Sequence, residues 1–177
     1  APLGFLLLDL AIYAQHWASH NLPLLWRLHR MHHADLDFDM STALRFHPIE
    51  IVGSMIYKIA VVWALGIHPM VVLVFEVVLN GTALFNHANF SIPAKAERVL
   101  RWFVVTPDMH RVHHSIRPEE TNSNYGFNFP WWDRLFGTYV AKPKDNAQTM
   151  PIGIELFRQE GDSSLPKMLI QPFFSGR

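Results

Sequence analysis

A chain of 177 residues is long enough for one domain, and with half of its side chains hydrophobic and 13% aromatic it is more apolar than most soluble domains. The formal net charge is zero and no long run of one sign occurs, which argues against nucleic-acid binding because that requires a basic surface. The lack of cysteine excludes disulfides, thiolate zinc sites and iron–sulfur clusters, so that a metal site would have to use histidine.

The first segment predicts a helix with one polar face. Residues 3–14 are apolar but too few to span a bilayer, so we expect them to end a longer membrane helix that an N-terminal truncation has removed. Residues three and four apart share a helix face, and the polar side chains of this segment follow that spacing. They are Asp9, Tyr13, His16 and His20.

Residues 49–65 and 70–86 are two mostly apolar runs that predict a transmembrane hairpin, because each is close to the length that a spanning helix needs. A helical hairpin in the core of a soluble protein is the alternative. Lys58 and Glu76 lie at nearly equal depth in the two runs and are expected to pair, because an unpaired charge there is costly. Basic residues flank both ends of the hairpin but not its turn, so the positive-inside bias places both ends in the cytoplasm. They are Arg27, Arg30, Arg45, Lys95, Arg98 and Arg101.

Nine of the eleven histidines fall in four short clusters. A single histidine is often only a hydrogen-bonded polar residue, but spacings of three and four project the imidazoles of a cluster in one direction, as metal ligands require. Nine imidazoles are too many for one ion and suit two. Because the hairpin crosses the membrane twice, the clusters on either side of it return to the same cytoplasmic face. The predicted ligands are His16, His20, His29, His32, His33, His87, His110, His113 and His114.

The segments after the hairpin predict two further helices, followed by a loop that caps the clusters. Residues 94–105 alternate apolar and basic side chains, which is typical of an interfacial helix. Thr106 is the expected N-cap of a helix with Pro107 in its first turn, and that helix carries the last histidine cluster. Residues 117–139 indicate an ordered loop that caps the site.

Several other polar and aromatic residues are candidates for supporting roles. Asp9 and Asp108 are expected to accept the second N–H of ligating imidazoles, with helix capping as the alternative for Asp108. His47 is expected to cap the hairpin or to line the site, and His68 is excluded because it lies in the hairpin turn on the opposite face. Membrane anchoring is favoured over lining a lipid channel for three aromatic residues. They are Tyr125, Trp131 and Trp132.

The ordered set of these motifs resembles the fatty acid hydroxylase and sterol desaturase superfamily of integral-membrane di-iron oxygenases. The resemblance runs over most of the chain. Its histidine boxes correspond to Asp9-x3-Tyr13-x2-His16-x3-His20, to residues 26–33 and to residues 106–115. Residues 45–50 resemble the segment that leads into the hairpin, and residues 124–126 and 132–138 resemble the closing signature.

The resemblance implies an all-α membrane helical bundle with a transmembrane hairpin and a cytoplasmic, histidine-rich helical cap. Residues 1–141 would form this membrane-embedded domain and residues 142–177 a cytoplasmic tail. Imidazoles alone suit Fe(II), Zn(II) and other borderline metals, whereas the resemblance indicates two iron ions. One departure concerns the region between the second and third boxes, where the family tends to have two histidines and this chain has His87 followed by Asn89. A coordination position there would be filled by Asn89, by water, or left open.

The activity that the resemblance implies is the O2-dependent hydroxylation or desaturation of a lipid C–H bond. The chain contains no G-x-G-x-x-G cofactor fingerprint, so an external electron donor of the cytochrome b5, ferredoxin or reductase type is expected. A non-catalytic membrane protein that binds or transports metal is the alternative. A transporter would carry polar ligands through its spans, and here the histidines gather at one face instead.

Overall fold

The computed structural model describes residues 2–147 and 149–175, and within them the regular elements are helical. This confirms the all-α fold class. The nine α-helices of this described part are α1 (Pro2–Asn21), α2 (Pro23–His33), α3 (Pro48–Leu65), α4 (Pro69–Asn86), α5 (Ala94–Leu100), α6 (Pro107–His113), α7 (Pro118–Thr121), α8 (Trp131–Phe136) and α9 (Leu165–Ile170).

The hairpin of α3 and α4 consists of two helices long and apolar enough to cross a membrane, as predicted. Each has 18 residues, or about 27 Å at 1.5 Å per residue, which approaches the thickness of a bilayer core. None of the residues of α3 is buried in the protein, and Trp63 is 85% exposed. Phe75 and Asn86 are buried in α4, but most large apolar side chains of the two helices face outward and are suited to contact with lipid.

Both hairpin helices begin with the sequence His-Pro. The ring of His47 accepts a hydrogen bond from the backbone N–H of Ile49, and the ring of His68 accepts one from Met70, each at 3.2 Å. These rings satisfy N–H groups that have no partner inside the helix. His47 therefore caps the hairpin, which was one of its two predicted roles, and His68 lies exposed at the turn.

Helix α1 runs antiparallel to α3 along the hairpin. Ser54 donates to the side-chain oxygen of Gln15 at 3.1 Å, and one turn further along α3 the Tyr57 hydroxyl donates to the carbonyl of Ala11. Near its start α1 packs against the hairpin turn, where Gly4 faces Ile67. The predicted first helix thus extends along most of the hairpin, from the turn to the histidine clusters.

Lys58 and Glu76 form the predicted ion pair between α3 and α4. The ammonium nitrogen of Lys58 lies 2.8 Å and 2.9 Å from the two carboxylate oxygens of Glu76. Their side chains are 21% and 35% exposed, so that the pair lies at the surface of the helix bundle rather than in a closed core.

The predicted interfacial helix over residues 94–105 is shorter in the structure, because α5 ends at Leu100. Glu97 accepts hydrogen bonds from the guanidinium of Arg101 and from the hydroxyl of Thr106, which turns the chain towards α6. As predicted, the Thr106 side chain also accepts from the N–H of Met109 and so caps α6.

The segment after residue 141 packs against the histidine-bearing helices. Arg30 of α2 is completely buried and donates to the carbonyls of Gln171, at 2.5 Å, and Phe174, at 2.7 Å. Met150 and Ile152 share a small core cluster with Phe38. The expected tail is therefore in contact with the rest of the chain over the part that the structure describes, and the boundary at residue 141 stays a prediction. Residues 1, 148, 176 and 177 of the two predicted domains lie outside the described residues.

The Lys58–Glu76 pair generates a charge-reversal prediction. Either single change, Lys58→Glu or Glu76→Lys, places two like charges within the hairpin and is expected to destabilise the protein by about 2–3 kcal/mol. The double reversal restores the attraction and should recover most of that loss. Thermal unfolding in detergent measures all three variants, and purely additive losses would contradict the coupling.

Candidate metal centre

The structure brings together the nine histidines that the sequence singled out. All nine are buried, and the most accessible of them, His20, is 9% exposed. They come from α1, α2, the end of α4 and the region of α6. The hairpin therefore separates the clusters in sequence but not in space.

The nine imidazoles divide into two adjacent groups. Within each group, one ring nitrogen per residue lies within 4.8 Å of the corresponding nitrogen of every other member. Ligands on opposite sides of an ion with bonds of about 2.1 Å are about 4.2 Å apart, so both groups need only small adjustments to surround an ion. The first group is His16, His20, His29, His33 and His113, and the second is His32, His87, His110 and His114.

The repeated sequence His-x2-His-His explains this division. The first and last histidines of the repeat are four apart and lie nearly above one another on a helix. The middle histidine, one position before the last, is rotated from it by about 100° around the helix axis. In α2, His29 and His33 therefore face the first group and His32 faces the second. In the α6 repeat the assignment is reversed, because His110 and His114 belong to the second group and His113 belongs to the first. The rings of His33 and His114 stack at 4.4 Å, where the two groups meet.

Backbone carbonyls fix the orientation of several rings. The Nδ1 of His16 lies 2.7 Å from the carbonyl of Tyr125, and the Nδ1 of His113 lies 2.7 Å from that of Ser123. A carbonyl only accepts, so in each neutral ring the proton is on Nδ1 and the lone pair is on Nε2. Both Nε2 atoms are buried without a hydrogen-bond partner in the described protein. The ordered loop predicted over residues 117–139 supplies both carbonyls.

A carboxylate holds His29 in the same way. Its Nδ1 lies 2.6 Å from Oε1 of Glu50 in the first turn of α3, and its Nε2 is buried without a protein partner. Metal-binding histidines commonly donate their second N–H to a carboxylate. Sequence reasoning included Glu50 in a motif but gave it no role. Its place one turn into a spanning helix, at the end nearest the histidines, is the signal that could have identified it.

The second group has three nitrogens in close approach. The Nε2 of His87 lies 3.2 Å from Nε2 of His32 and 3.0 Å from Nε2 of His110. The Nδ1 of His87 donates to the carbonyl of Ala83, one turn back in its own helix, which leaves a lone pair on its Nε2. Three converging imidazole nitrogens form a site that a cation can occupy.

Burial keeps these imidazoles neutral. Desolvation lowers the pKa of His113 to about 3, and it lowers the pKa of His87 to about 4. The pKa of His110 and of His114 also lies well below the usual range, first because of burial and then because of neighbouring imidazoles. Neutral imidazole is the form that binds metal, so the rings do not need to lose protons at neutral pH before binding.

The structure does not bring the two predicted aspartates to the imidazoles. The Asp9 carboxylate accepts a hydrogen bond from the indole N–H of Trp132 at 2.7 Å, because the fold brings α8 rather than a histidine against it. Asp108 is half-buried in the first turn of α6 and makes no hydrogen bond to a histidine among the described residues. The side-chain oxygen of Asn89 accepts from Arg111 at the surface, so Asn89 lies outside both groups.

Two of the three aromatic residues differ from the favoured prediction of membrane anchoring. Tyr125 is 2% exposed, and its ring lies 5.2 Å from that of His20 and 5.8 Å from that of His113. It is therefore a wall of the histidine site. Trp132 is half-buried on Asp9, whereas Trp131 is 40% exposed and donates to the carbonyl of Trp102.

A cavity of about 270 Å³ leads to the first group between α1, α3 and α4. His16 and His29 line it at the end where Glu50 lies, and the Lys58–Glu76 pair lines it deeper in the hairpin. A second, larger cleft of about 1020 Å³ approaches His20 on the side of Trp26. The histidine site is thus accessible both from within the hairpin and from the surface opposite it.

The chain is similar in sequence to several proteins that are named as lipid hydroxylases or monooxygenases. An alkylglycerol monooxygenase of Danio rerio is 34% identical over a match that covers 79% of this chain and 30% of that protein. An ornithine lipid hydroxylase of Rhizobium tropici is 30% identical over a match that covers 85% of this chain and 44% of that protein. A cholesterol 25-hydroxylase of Rattus norvegicus is 27% identical over a match that covers 78% of this chain and 46% of that protein. The chain spans less than half the length of these relatives, and no solved structure matches it.

The family model described as fatty acid hydroxylase matches residues 1–138. This range is more than three quarters of the chain and contains all nine histidines of the two groups together with Glu50. The chain therefore belongs to the fatty acid hydroxylase family.

Proposed function

We propose that this protein is a di-iron membrane oxygenase that uses O2 to hydroxylate or desaturate a C–H bond of a lipid. The observation that carries the proposal is the convergence of nine buried imidazoles in two adjacent groups at one end of an apolar hairpin. Relatives named as lipid hydroxylases and a monooxygenase support the reaction class.

The donor set fits two metal ions. The buried Nε2 atoms of His16, His29 and His113 have no protein partner, and the carbonyls that accept from Nδ1 of His16 and His113 leave a lone pair on Nε2 of those two rings. We assign all nine histidines as the metal ligands. When bound, two iron ions supply the capacity to activate O2, with two external electrons, for attack on an unactivated C–H bond.

The chain itself positions the reactants and excludes water. Carbonyls of the loop over residues 117–139 and the Glu50 carboxylate hold the rings. The ring of Phe46 stacks on His32 at 4.4 Å and shields the second group. The cavity between α1, α3 and α4 lets a lipid reach His16 and His29 from the hairpin. In hydroxylation, one oxygen atom of O2 enters the C–H bond, and the other leaves as water after uptake of two electrons and two protons.

We further propose that the histidine groups lie on the cytoplasmic face, as the arginine and lysine distribution indicates. An electron donor of the cytochrome b5, ferredoxin or reductase type would then dock on that face. The alternative of a metal transporter is less suited to the site, because Lys58 and Glu76 pair with each other and no chain of ligands continues along the described hairpin.

Metal content tests the ligand assignment. The protein reconstituted with Fe(II) is expected to bind about two ions per chain. His113→Ala removes a ligand of the first group and His32→Ala one of the second, so each variant should retain about one ion or fewer and lose turnover. His68→Ala is the matched control and should keep two, because His68 only caps α4. Two ions retained in both ligand variants would contradict the assignment.

Replacing Glu50 tests its action through His29. Glu50→Gln removes the charge that strengthens the His29 hydrogen bond and should weaken metal binding about 10-fold to 100-fold in chelator competition. Glu119→Gln changes a carboxylate at the surface, paired with Lys144, and should leave metal affinity unchanged. Equal affinities of the two variants would show that Glu50 does not support the site.

Acid should destabilise the metal-stripped protein. His113 and His87 take up protons at about pH 3 and pH 4 when folded but near pH 6.5 when unfolded, so the unfolded state gains protons first as pH falls. Their contribution is full above pH 6.5 and is lost progressively below it. These two histidines alone should cost about 3 kcal/mol between pH 6.5 and 5, or about 10 °C in Tm. A Tm that is constant over this range would contradict neutral burial.

A further inference from the structure

The Lys58–Glu76 pair is placed in an unusual position for a purely structural contact. Apart from Glu50 beside His29, these are the charged residues of α3 and α4. Both side chains line the cavity that reaches His16 and His29. Charged residues at membrane depth are costly and commonly mark a functional site.

The surroundings of the pair are polar for an apolar hairpin. Four uncharged polar side chains line the same cavity, and the ion pair lies among them. Ser54 donates to Gln15 at 3.1 Å and Asn80 donates to the backbone carbonyl of Glu76 at 2.7 Å, so these groups have protein partners and still give the cavity a polar wall. These side chains are Gln15, Ser19, Ser54 and Asn80.

The pair retains hydrogen-bonding capacity towards the cavity. The Lys58 ammonium has three N–H donors, and its two hydrogen bonds go to the Glu76 oxygens. The carboxylate has further lone pairs beyond those that face the ammonium. A hydroxyl both accepts and donates, so one hydroxyl can bind both members. An isolated anion would be repelled by Glu76 and an isolated cation by Lys58.

We propose that the Lys58–Glu76 pair binds a neutral hydroxyl group of the lipid substrate and so fixes which carbon lies beside the metal centre. This inference rests on the proposed function, because it assigns the cavity to the substrate. The position of the pair also sets the distance between the bound hydroxyl and the metal centre. Lys58 is eight residues beyond Glu50 in α3, which is about 12 Å along the helix axis. The oxidised carbon is therefore separated from the bound hydroxyl by a chain or ring system of about this length.

The orientation of the substrate follows from the same geometry. The hydroxyl lies deep in the hairpin, and the apolar part of the molecule extends towards His16 and His29. This is opposite to the orientation of a free alcohol in a bilayer, whose hydroxyl stays at the interface with water. The ion pair offers the hydrogen bonds that make the inverted orientation possible.

Binding of two matched probes tests the proposal. Tritiated decanol and tritiated decane are titrated, at equal mole fraction of lipid, into nanodiscs that contain the metal-stripped protein, with empty nanodiscs as the background. Decanol should bind about tenfold more tightly than decane, because charge-assisted hydrogen bonds are worth that much. The double variant Lys58→Met with Glu76→Leu should bind both probes equally.

That variant is designed to remain folded, because apolar residues of similar size often replace an ion pair without loss of stability. Removing the exposed pair of Arg117 and Asp145, as Arg117→Met with Asp145→Leu, is the matched control and should leave the preference for decanol intact. Equal binding of decanol and decane by the unaltered protein would overturn the proposal, as would a preference that survives in the double variant.

Photo-crosslinking tests the orientation. A decanol with a diazirine near its methyl end should label residues at the histidine end of the cavity, such as Phe46 and Phe127. A decanol with the diazirine next to the hydroxyl should label the deeper end near Leu79. The reverse pattern would overturn the proposal.

The two proposals can fail separately. Both probe experiments use metal-stripped protein and need no turnover, so a failure to discriminate the probes refutes the hydroxyl site alone. Metal content tests the metal centre of the oxygenase assignment and does not depend on Lys58 or Glu76.

Discussion

Burial of nine imidazoles is the constraint on which the rest of the structure depends. A charged histidine in this interior would be costly, and a neutral one needs a partner for the N–H that it keeps. The chain meets this need for several rings with acceptors from distant segments: the carbonyls of Tyr125 and Ser123, and the carboxylate of Glu50. These acceptors decide which nitrogen is left with a lone pair, and so they determine which atoms converge.

The same constraint explains why the hairpin and the histidine site belong to one unit. Glu50 is both in the first turn of α3 and the partner of His29. His47 caps the same helix and its other ring nitrogen lies 3.1 Å from the carbonyl of Leu169. A shift of α3 along its axis would therefore disturb a first-group histidine and a contact with the C-terminal segment together. The apolar hairpin and the histidine site are mechanically coupled through this one helix end.

Sequence reasoning succeeded where the relevant rule is local. Helix periodicity identified eight of the nine histidines of the two groups, all except the single His87, and counting residues along the hairpin was enough to pair Lys58 with Glu76. It could not divide the histidines between two groups, because that depends on how α2 and α6 are rotated against each other. It also missed the loop carbonyls, since every residue has a carbonyl and none carries a sequence signature. Asp9 was assigned to an imidazole because its competitor, the indole of Trp132, is 123 residues away.

The hydrogen bonds from Arg30 to the carbonyls of Gln171 and Phe174 have a consequence for biosynthesis. Arg30 lies next to His29 in α2, so the helix that serves both histidine groups is held by bonds to the last turns of the described chain. During translation these carbonyls leave the ribosome long after α2 and the hairpin have been inserted. The histidines of α2 are thus available for a considerable interval before their support is complete. Assembly of the centre is therefore a late event. A chain interrupted before residue 171 would have the histidines without the hydrogen bonds that hold α2.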